Sequence, residues 1–193
     1  FSGGIAASGG TLSNLNALIA ARNNAGLGSN PNSVLLISED AHSSFIKCIR
    51  IMGLDATNLV KIKTDNQGRM DINNLRKSLN KCLIENKKIF AIVATLGTTV
   101  RGAIDPIKEI SEICKERNIW LHIDGSIGGI FALSSIQIEG LNNINQANSI
   151  TINPQKIIGI TKTSSLLLVA NMNTLQKTFS TGLPYISSKE DIV

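Results

Sequence analysis

The stretch that most constrains how this chain can fold is 119–129, Ile-Trp-Leu-His-Ile-Asp-Gly-Ser-Ile-Gly-Gly. Ile119, Trp120, Leu121 and Ile123 form a short apolar run, with a charged helical pattern before it and small residues after it. Such a run reads as a strand buried on both faces, which is the habit of parallel sheets. Its C-terminal end delivers His122 and Asp124, and the glycines beyond let another body approach the backbone closely. Ligands of open α/β sheets bind outside the carboxyl ends of the strands, so an acid placed there is expected to face a cation. Standing alone, Asp124 reads equally well as a helix cap or a turn former.

The same alternation recurs along the chain. Val34–Ile37, Phe90–Ala94 and Ser149–Ile152 are further apolar strands, and Asn58–Ile62 is a weaker one. Helical spacing covers Leu12–Ala25, Ser43–Met52, Asp71–Asn86 and Asp105–Arg117, with Gly26 and Gly53 as stops and Pro106 in a first turn. This predicts one α/β domain over residues 1–193, three layers built on a mainly parallel sheet. After Gly129 the pattern loosens. Ile157–Ile160 and Leu166–Val169 predict a hairpin-like pair around Thr161-Lys162-Thr163, Asn173–Phe179 predicts a short helix, and residues 180–193 carry no periodicity.

Composition narrows the classes of function. The chain is 42% hydrophobic and 17% charged, an ordinary globular balance, with aromatics at 4%, so Ile, Leu, Val and Ala must fill the core. The net charge of +5 is scattered; its densest patch, Lys81 to Lys88, alternates with Leu83, Ile84 and Glu85 like a solvated helix end. Without a basic stripe interleaved with stacking aromatics, nucleic-acid binding is not expected. Cys48, Cys82 and Cys114 lack metal or disulfide spacing and read as reduced thiols of a cytoplasmic protein. No stretch is long enough to span a membrane, Ser164–Ala170 being far too short. Phe1 begins abruptly, without an initiator Met or a charged leader region, as though cut from something longer.

Several segments fall on the rim where Asp124 is expected. Residues 5–11, Ile-Ala-Ala-Ser-Gly-Gly-Thr, read as a small-residue loop opening a helix, which makes an anion cradle of free amides and helix dipole. They match neither a Walker A nor a GxGxxG pattern, and the plainer reading is a helix capped by Thr11. His42 stands at a strand-to-helix junction, either as a hydrogen-bonded cap or as a functional imidazole. Thr98 and Thr99 lie on a neighbouring rim, and Lys156 follows the Asn153-Pro154 turn. An anion site, a carboxylate, a stacking side chain and an amine are the parts needed to hold pyridoxal phosphate.

Five segments in order carry a resemblance: Ser8-Gly-Gly-Thr-Leu-Ser-Asn14, Asp40-Ala-His-Ser-Ser44, Ala94-Thr-Leu-Gly-Thr-Thr99 with Gly102-Ala-Ile-Asp-Pro106, Trp120-Leu-His-Ile-Asp124, and Asn153-Pro-Gln-Lys156. Over about Ile5 to Ala170 the chain resembles the group II pyridoxal-phosphate-dependent amino-acid decarboxylases, enzymes of the fold-type I, aminotransferase-like architecture. The resemblance implies that Lys156 holds the cofactor covalently and that Asp124 pairs with the pyridinium nitrogen. It implies that His42 stacks on one face of the ring, with Ser126 on the other. By the same resemblance Gly10, Thr11 and Asn153 contact the phosphate and Thr99 lies near the ring hydroxyl. Lys156, His42 and Asp124 are the expected catalytic residues, and partial burial is expected to ease loss of the Lys156 proton. His122 either supports the acid or simply packs in the core.

The implied reaction is loss of the α-carboxylate from an amino acid in a homodimer. The chain would be its large domain, lacking an N-terminal segment and a C-terminal small domain. Against the family pattern, Gln155 replaces a His, Gly125-Ser126 replaces two alanines, and Leu12 replaces a commonly acidic residue. Tyr185 falls near the region where some members carry a loop tyrosine, in surroundings that do not match. A remnant that keeps the fold without turnover, and another fold-type I lyase, are the rival expectations.

Overall fold

The computed structural model describes residues 1–135, 138, 140–161 and 164–180. Strands β1 (Gly3–Ala7), β2 (Ser33–Ser38), β3 (Leu59–Ile62), β4 (Lys88–Thr95), β5 (Trp120–Gly125), β6 (Ser149–Ile152) and β7 (Ser165–Val169) form one sheet, ordered β1-β7-β6-β5-β4-β2-β3. From β3 to β6 every pairing is parallel, and β7 then runs antiparallel to both β6 and β1. Two reversals in succession leave β1 pointing the same way as the central strands. The carboxyl ends of β1, β2, β4, β5 and β6 therefore share one rim.

Helices α1 (Gly10–Asn24), α2 (Ser44–Ile51), α3 (Ile72–Ile84), α4 (Ile107–Arg117) and α6 (Met172–Phe179) flank the sheet, and α5 (Pro154–Ile157) is a single turn at the rim. Alternate strand residues point to opposite faces. Leu36, Ile92, Leu121 and Ile123 pack with Leu75 and Leu79 of α3 and Ile110 and Ile113 of α4. Leu35, Ile37, Val93 and Trp120 pack instead with Leu18 of α1 and Phe45 and Ile49 of α2. Ala17 and Ala20 of α1 complete that layer against Leu167 of β7 and Leu175 of α6. The expected three-layer, mainly parallel α/β architecture is what the chain forms. All three cysteines are buried free thiols. Among the described residues no helix is long and apolar enough to cross a membrane.

Local chemistry sets the helix ends. Asp71 caps α3 by accepting from the Asn74 amide at 2.6 Å. Asn118 closes α4 with φ at 52°, a conformation that Asn tolerates better than most residues. At the end of α1, buried Arg22 donates to the carbonyls of Leu27, Met52 and Asn30 at 2.9, 3.0 and 3.0 Å, tying three chain segments together.

Three expectations are corrected. Residues 5–11 are not mainly a loop, because β1 already runs to Ala7 and only Ser8 and Gly9 intervene before α1. A run of small residues hides that strand, since its partner β7 lies far along the chain and supplies the pairing. A Cβ on Gly4 would meet the Leu167 carbonyl at 2.4 Å, so the small residue is required by the close approach. Thr11 does not cap α1, which starts at Gly10 behind Gly9 with no side-chain cap. Finally, Ile157–Ile160 is no hairpin arm: Pro154 opens the helical turn α5, and β7 pairs with β6 and β1.

Asp105 shows how the rim is braced. It is 1% exposed and accepts from the Met70 and Thr95 amides, both at 2.7 Å. Burial pushes its carboxyl up to about 6, against the pull of those two donors. In the unfolded chain the group returns to about 3.9, so its stabilising contribution is complete below that value and fades as pH rises through 6. The stability of the parent minus that of Asp105→Asn should therefore shrink between about pH 4 and pH 7. Denaturant unfolding of both proteins across that range checks this, and a constant difference refutes it.

Candidate active site

A cavity of about 230 Å³ opens at the rim. Four strand ends and one helix start contribute its walls. Gly10, Thr11 and Asn14 come from the first turns of α1, His42 and Ser44 from the β2–α2 junction, and Thr95, Gly97 and Thr99 from the end of β4. Asp124, Ser126 and Ile127 follow β5, and Asn153, Gln155 and Lys156 follow β6. All eight residues singled out in the sequence, Gly10, Thr11, His42, Thr99, Asp124, Ser126, Asn153 and Lys156, line this one cavity.

Their burial differs by role. Asp124, Ser126 and Asn153 are buried, whereas His42, Thr99, Thr11 and Lys156 are exposed at the mouth. The partial burial expected for Lys156 is not found: it stands on the single turn α5, just past the end of β6, and is exposed while lining the cavity. His42 does make the hydrogen-bonded cap contact that one reading gave it, and it lines the cavity as well. Its Nδ1 accepts from the Ser44 amide at 3.2 Å, which fixes the ring at the start of α2 while leaving its faces available.

Asp124 sits 5% exposed at the end of β5. Its Oδ2 accepts from Asn14 Nδ2 at 3.1 Å and its Oδ1 from the Ser126 amide at 3.1 Å. Behind Asn14 lies His122, fully buried, with Nε2 at 3.0 Å from Asn14 Oδ1. The two readings of His122 thus merge: it packs in the core, and it supports the acid through one intermediate. On the helix side, Cys48 donates to the Thr11 carbonyl at 3.7 Å. Burial, with the Asp124 charge adding to it, pushes that thiol up to about 11, so it is a neutral packing group.

The start of α1 is shaped for an anion. Gly9 is extended, with φ at 165°, and its carbonyl takes the Leu12 and Ser13 amides, so the first-turn amides of Gly10 and Thr11 point out of the helix. A Cβ on Gly10 would meet Asn153 Nδ2 at 2.7 Å and Ser126 Oγ at 2.9 Å, so glycine keeps this cradle open. Asn153 is held from behind, where Ser165 Oγ donates to its Oδ1 at 2.5 Å and pairs with Ser13 Oγ at 2.8 Å. Two buried hydroxyls on the cavity wall, Ser44 Oγ and Thr95 Oγ1, have no hydrogen-bond partner. Buried hydroxyls usually have a partner, and a ligand or an ordered water in the cavity would supply one. An acid, an amine, an anion cradle and unpartnered donors together fit a flat, anionic, aldehyde-bearing group with a basic ring nitrogen.

Sequence reasoning gave no role to Asn14, Ser44 or Thr95, although each stood inside a quoted segment. The spacing of Gly10 and Asn14 places both on one helical face, and Thr95 pairs directly with Asp124 across the sheet. Of the departures, Gln155 accepts from the Ser164 amide at 2.7 Å, which braces the loop beyond α5. Leu12 is 41% exposed on the outer side of α1. A Cβ on Gly125 would meet the Thr151 carbonyl at 2.9 Å, so this sheet favours glycine where the family has alanine. Tyr185 lies outside the described residues.

Comparison with known proteins agrees with this geometry. Residues 1–193 match the family model described as the pyridoxal-dependent decarboxylase conserved domain. An aromatic-L-amino-acid decarboxylase of Bacillus atrophaeus is 32% identical over 187 residues, covering 97% of this chain and 39% of that protein. An acidic amino acid decarboxylase of Homo sapiens is 33% identical over 196 residues, covering 97% of this chain and 37% of that one. Among solved structures, mouse CSAD superposes with a TM-score of 0.86 at 31% identity, over 91% of this chain and 38% of its own. A Catharanthus roseus tryptophan decarboxylase in complex with L-tryptophan gives 0.86 at 25% identity, over 99% of this chain and 41% of its own. The chain thus spans about two fifths of the length of the relatives it matches. With a family match from end to end, and an acid and a lysine meeting in one rim cavity, the chain belongs to the pyridoxal-dependent decarboxylase family.

Proposed function

We propose that this chain is the cofactor-binding large domain of an enzyme that decarboxylates an α-amino acid to its amine, with pyridoxal 5'-phosphate as cofactor. The observation that carries the reading is the convergence of Asp124 and Lys156, from two strand ends, on the cavity that the first turn of α1 also lines. The names of the relatives range from aromatic to acidic amino acids, so the substrate is put no finer than an α-amino acid. Because the family assembles its sites between subunits, a homodimer is part of the proposal.

Bound in this cavity, pyridoxal phosphate supplies the electron sink that accepts the pair left at the α-carbon when carbon dioxide departs. The rest is the work of this chain. Lys156 brings a primary amine on a flexible stem to the cavity mouth, where it can hold the cofactor's aldehyde carbon. The Gly10 and Thr11 amides, the Thr11 hydroxyl and the Asn153 amide group would take the phosphate, aided by the dipole of a 15-residue helix. Asp124 would take the ring nitrogen. His42 and Ser126 would hold the ring, Thr99 would meet its hydroxyl, and the Ser44 and Thr95 hydroxyls could gain the partners they lack. Holding the ring at so many points fixes which bond of the substrate stands perpendicular to it.

Three variants test the reading. A visible absorption band that borohydride bleaches is expected in the parent and not in Lys156→Ala; a band persisting in that variant removes Lys156 from its role. Gly10→Ala should weaken cofactor binding by about tenfold or more, as its methyl closes the cradle, while the melting temperature stays near the parent's. Thr95→Val removes a buried hydroxyl with no partner, so the cofactor-free protein should gain roughly 1 kcal/mol of stability while cofactor affinity falls. Calorimetry with and without ligand separates the two effects, and an affinity unchanged in Thr95→Val would exclude that contact. Carbon dioxide release from a panel of amino acids then distinguishes a decarboxylase from a cofactor-binding remnant.

A further inference from the structure

Trp120, His122 and Asp124 occupy alternate positions on the α1 face of β5, and a buried line of hydrogen bonds joins them through two residues of other elements. Trp120 Nε1 donates to Ser149 Oγ at 2.8 Å, and Ser149 Oγ lies 2.8 Å from His122 Nδ1. His122 Nε2 lies 3.0 Å from Asn14 Oδ1, and Asn14 Nδ2 donates to Asp124 Oδ2 at 3.1 Å. None of the five side chains is more than 7% exposed.

Chemistry fixes the direction of three of the bonds, and a neutral His122 fixes the fourth. An indole N–H only donates, so the Ser149 oxygen accepts from Trp120. A carboxylate only accepts, so Asn14 presents its NH₂ to Asp124 and its carbonyl to His122. His122 Nε2 therefore carries a proton. Burial holds the imidazole neutral, its pKa lowered to about 4 despite the opposing charge of Asp124. Nδ1 is then bare and takes the Ser149 proton. All four bonds run the same way, ending on Asp124, and aligned bonds in a low-dielectric interior strengthen one another.

We propose that Asn14 and His122 are positioning residues of the cofactor site: the chain Trp120–Ser149–His122–Asn14 locks the rotation of the Asp124 carboxylate so that its remaining lone pairs meet the ring nitrogen. The inference rests on the functional reading above. Asp124 stands at a strand end beside Gly125, on the wall of the cavity. The Ser126 amide holds Oδ1 at 3.1 Å, but one bond leaves the carboxylate free to pivot. Asn14 supplies the second point, and His122 keeps Asn14 from flipping its amide.

The test compares the intact protein with Asn14→Asp and His122→Gln. Asn58→Ala serves as the structural control, since Asn58 donates within the fold to the Pro31 and Ser33 carbonyls at 2.7 and 2.9 Å and does not line the cavity. Each protein is titrated with pyridoxal phosphate and with its deaza analogue, in which C–H replaces the ring nitrogen. Asn14→Asp and His122→Gln should weaken pyridoxal phosphate binding by about tenfold or more, the size of a lost charge-assisted hydrogen bond. The same variants should bind the deaza analogue within about twofold of the parent. Asn58→Ala should lower the melting temperature and shift neither affinity. Equal losses for both ligands, or no loss for either, overturn the inference. Ser149→Ala, a gentler cut of the same chain, carries the comparison if His122→Gln does not fold. A parent that takes up neither ligand removes the functional reading and this inference together; a parent that binds both, with variants unchanged, removes the inference alone.

Discussion

Parallel pairing of β2, β4, β5 and β6 is the constraint on which the rest of the structure depends. Parallel neighbours end on the same side, so each strand hands its next few residues to a common rim. Antiparallel pairing of any two central strands would send one set of rim residues to the opposite end of the sheet. Such strands need cover on both faces, which is why α1 and α2 lie on one side and α3 and α4 on the other. The buried apolar layers and the site are thus consequences of one hydrogen-bonding direction.

Within that frame, the α1 face of the sheet does two jobs. Near the middle it is apolar, with Leu35, Val93 and Trp120 packed beneath Leu18 and Phe45. Toward the carboxyl ends the same face turns polar: Thr95, Asp124, Thr151 and Asn153 are all buried there, with Ser149 deeper beside His122. Polar groups at such depth are costly unless bonded. Asp124 finds a partner in Asn14 of α1, Ser149 in Trp120 and His122, and Asn153 in Ser165 of β7. Thr95 and Thr151 are left without one, as is Ser44 of α2 on the cavity wall.

Most of the strands and helices were legible because their signals are local. Continuous apolar runs at 34–37, 90–94 and 119–121, with helical spacing between them, identify a two-sided parallel sheet without knowledge of any contact. β1 was not legible, since Gly3-Gly4-Ile5-Ala6-Ala7 has the composition of a loop and becomes a strand only by pairing with β7, some 160 residues later. The supposed strand at 157–160 failed for the converse reason: its residues are β-prone, but Pro154 and the edge of β6 commit the chain to a helical turn first. The eight rim residues picked out in the sequence line one cavity. Lys156 was not legible in its exposure, because solvent access depends on how far α5 projects past the sheet.

The sequence by itself determined most of the element types, the parallel direction of the central strands and the residues delivered to the rim, because each follows from periodicity and short-range chemistry. It also determined the family, through five motifs in order. Only the tertiary structure decided that Asn14 reaches Asp124, that His122 stands behind it, and that Ser44 and Thr95 are left unpartnered. Those facts depend on how α1 is laid across the ends of β5 and β6, a matter of packing between segments more than a hundred residues apart, which no local pattern encodes.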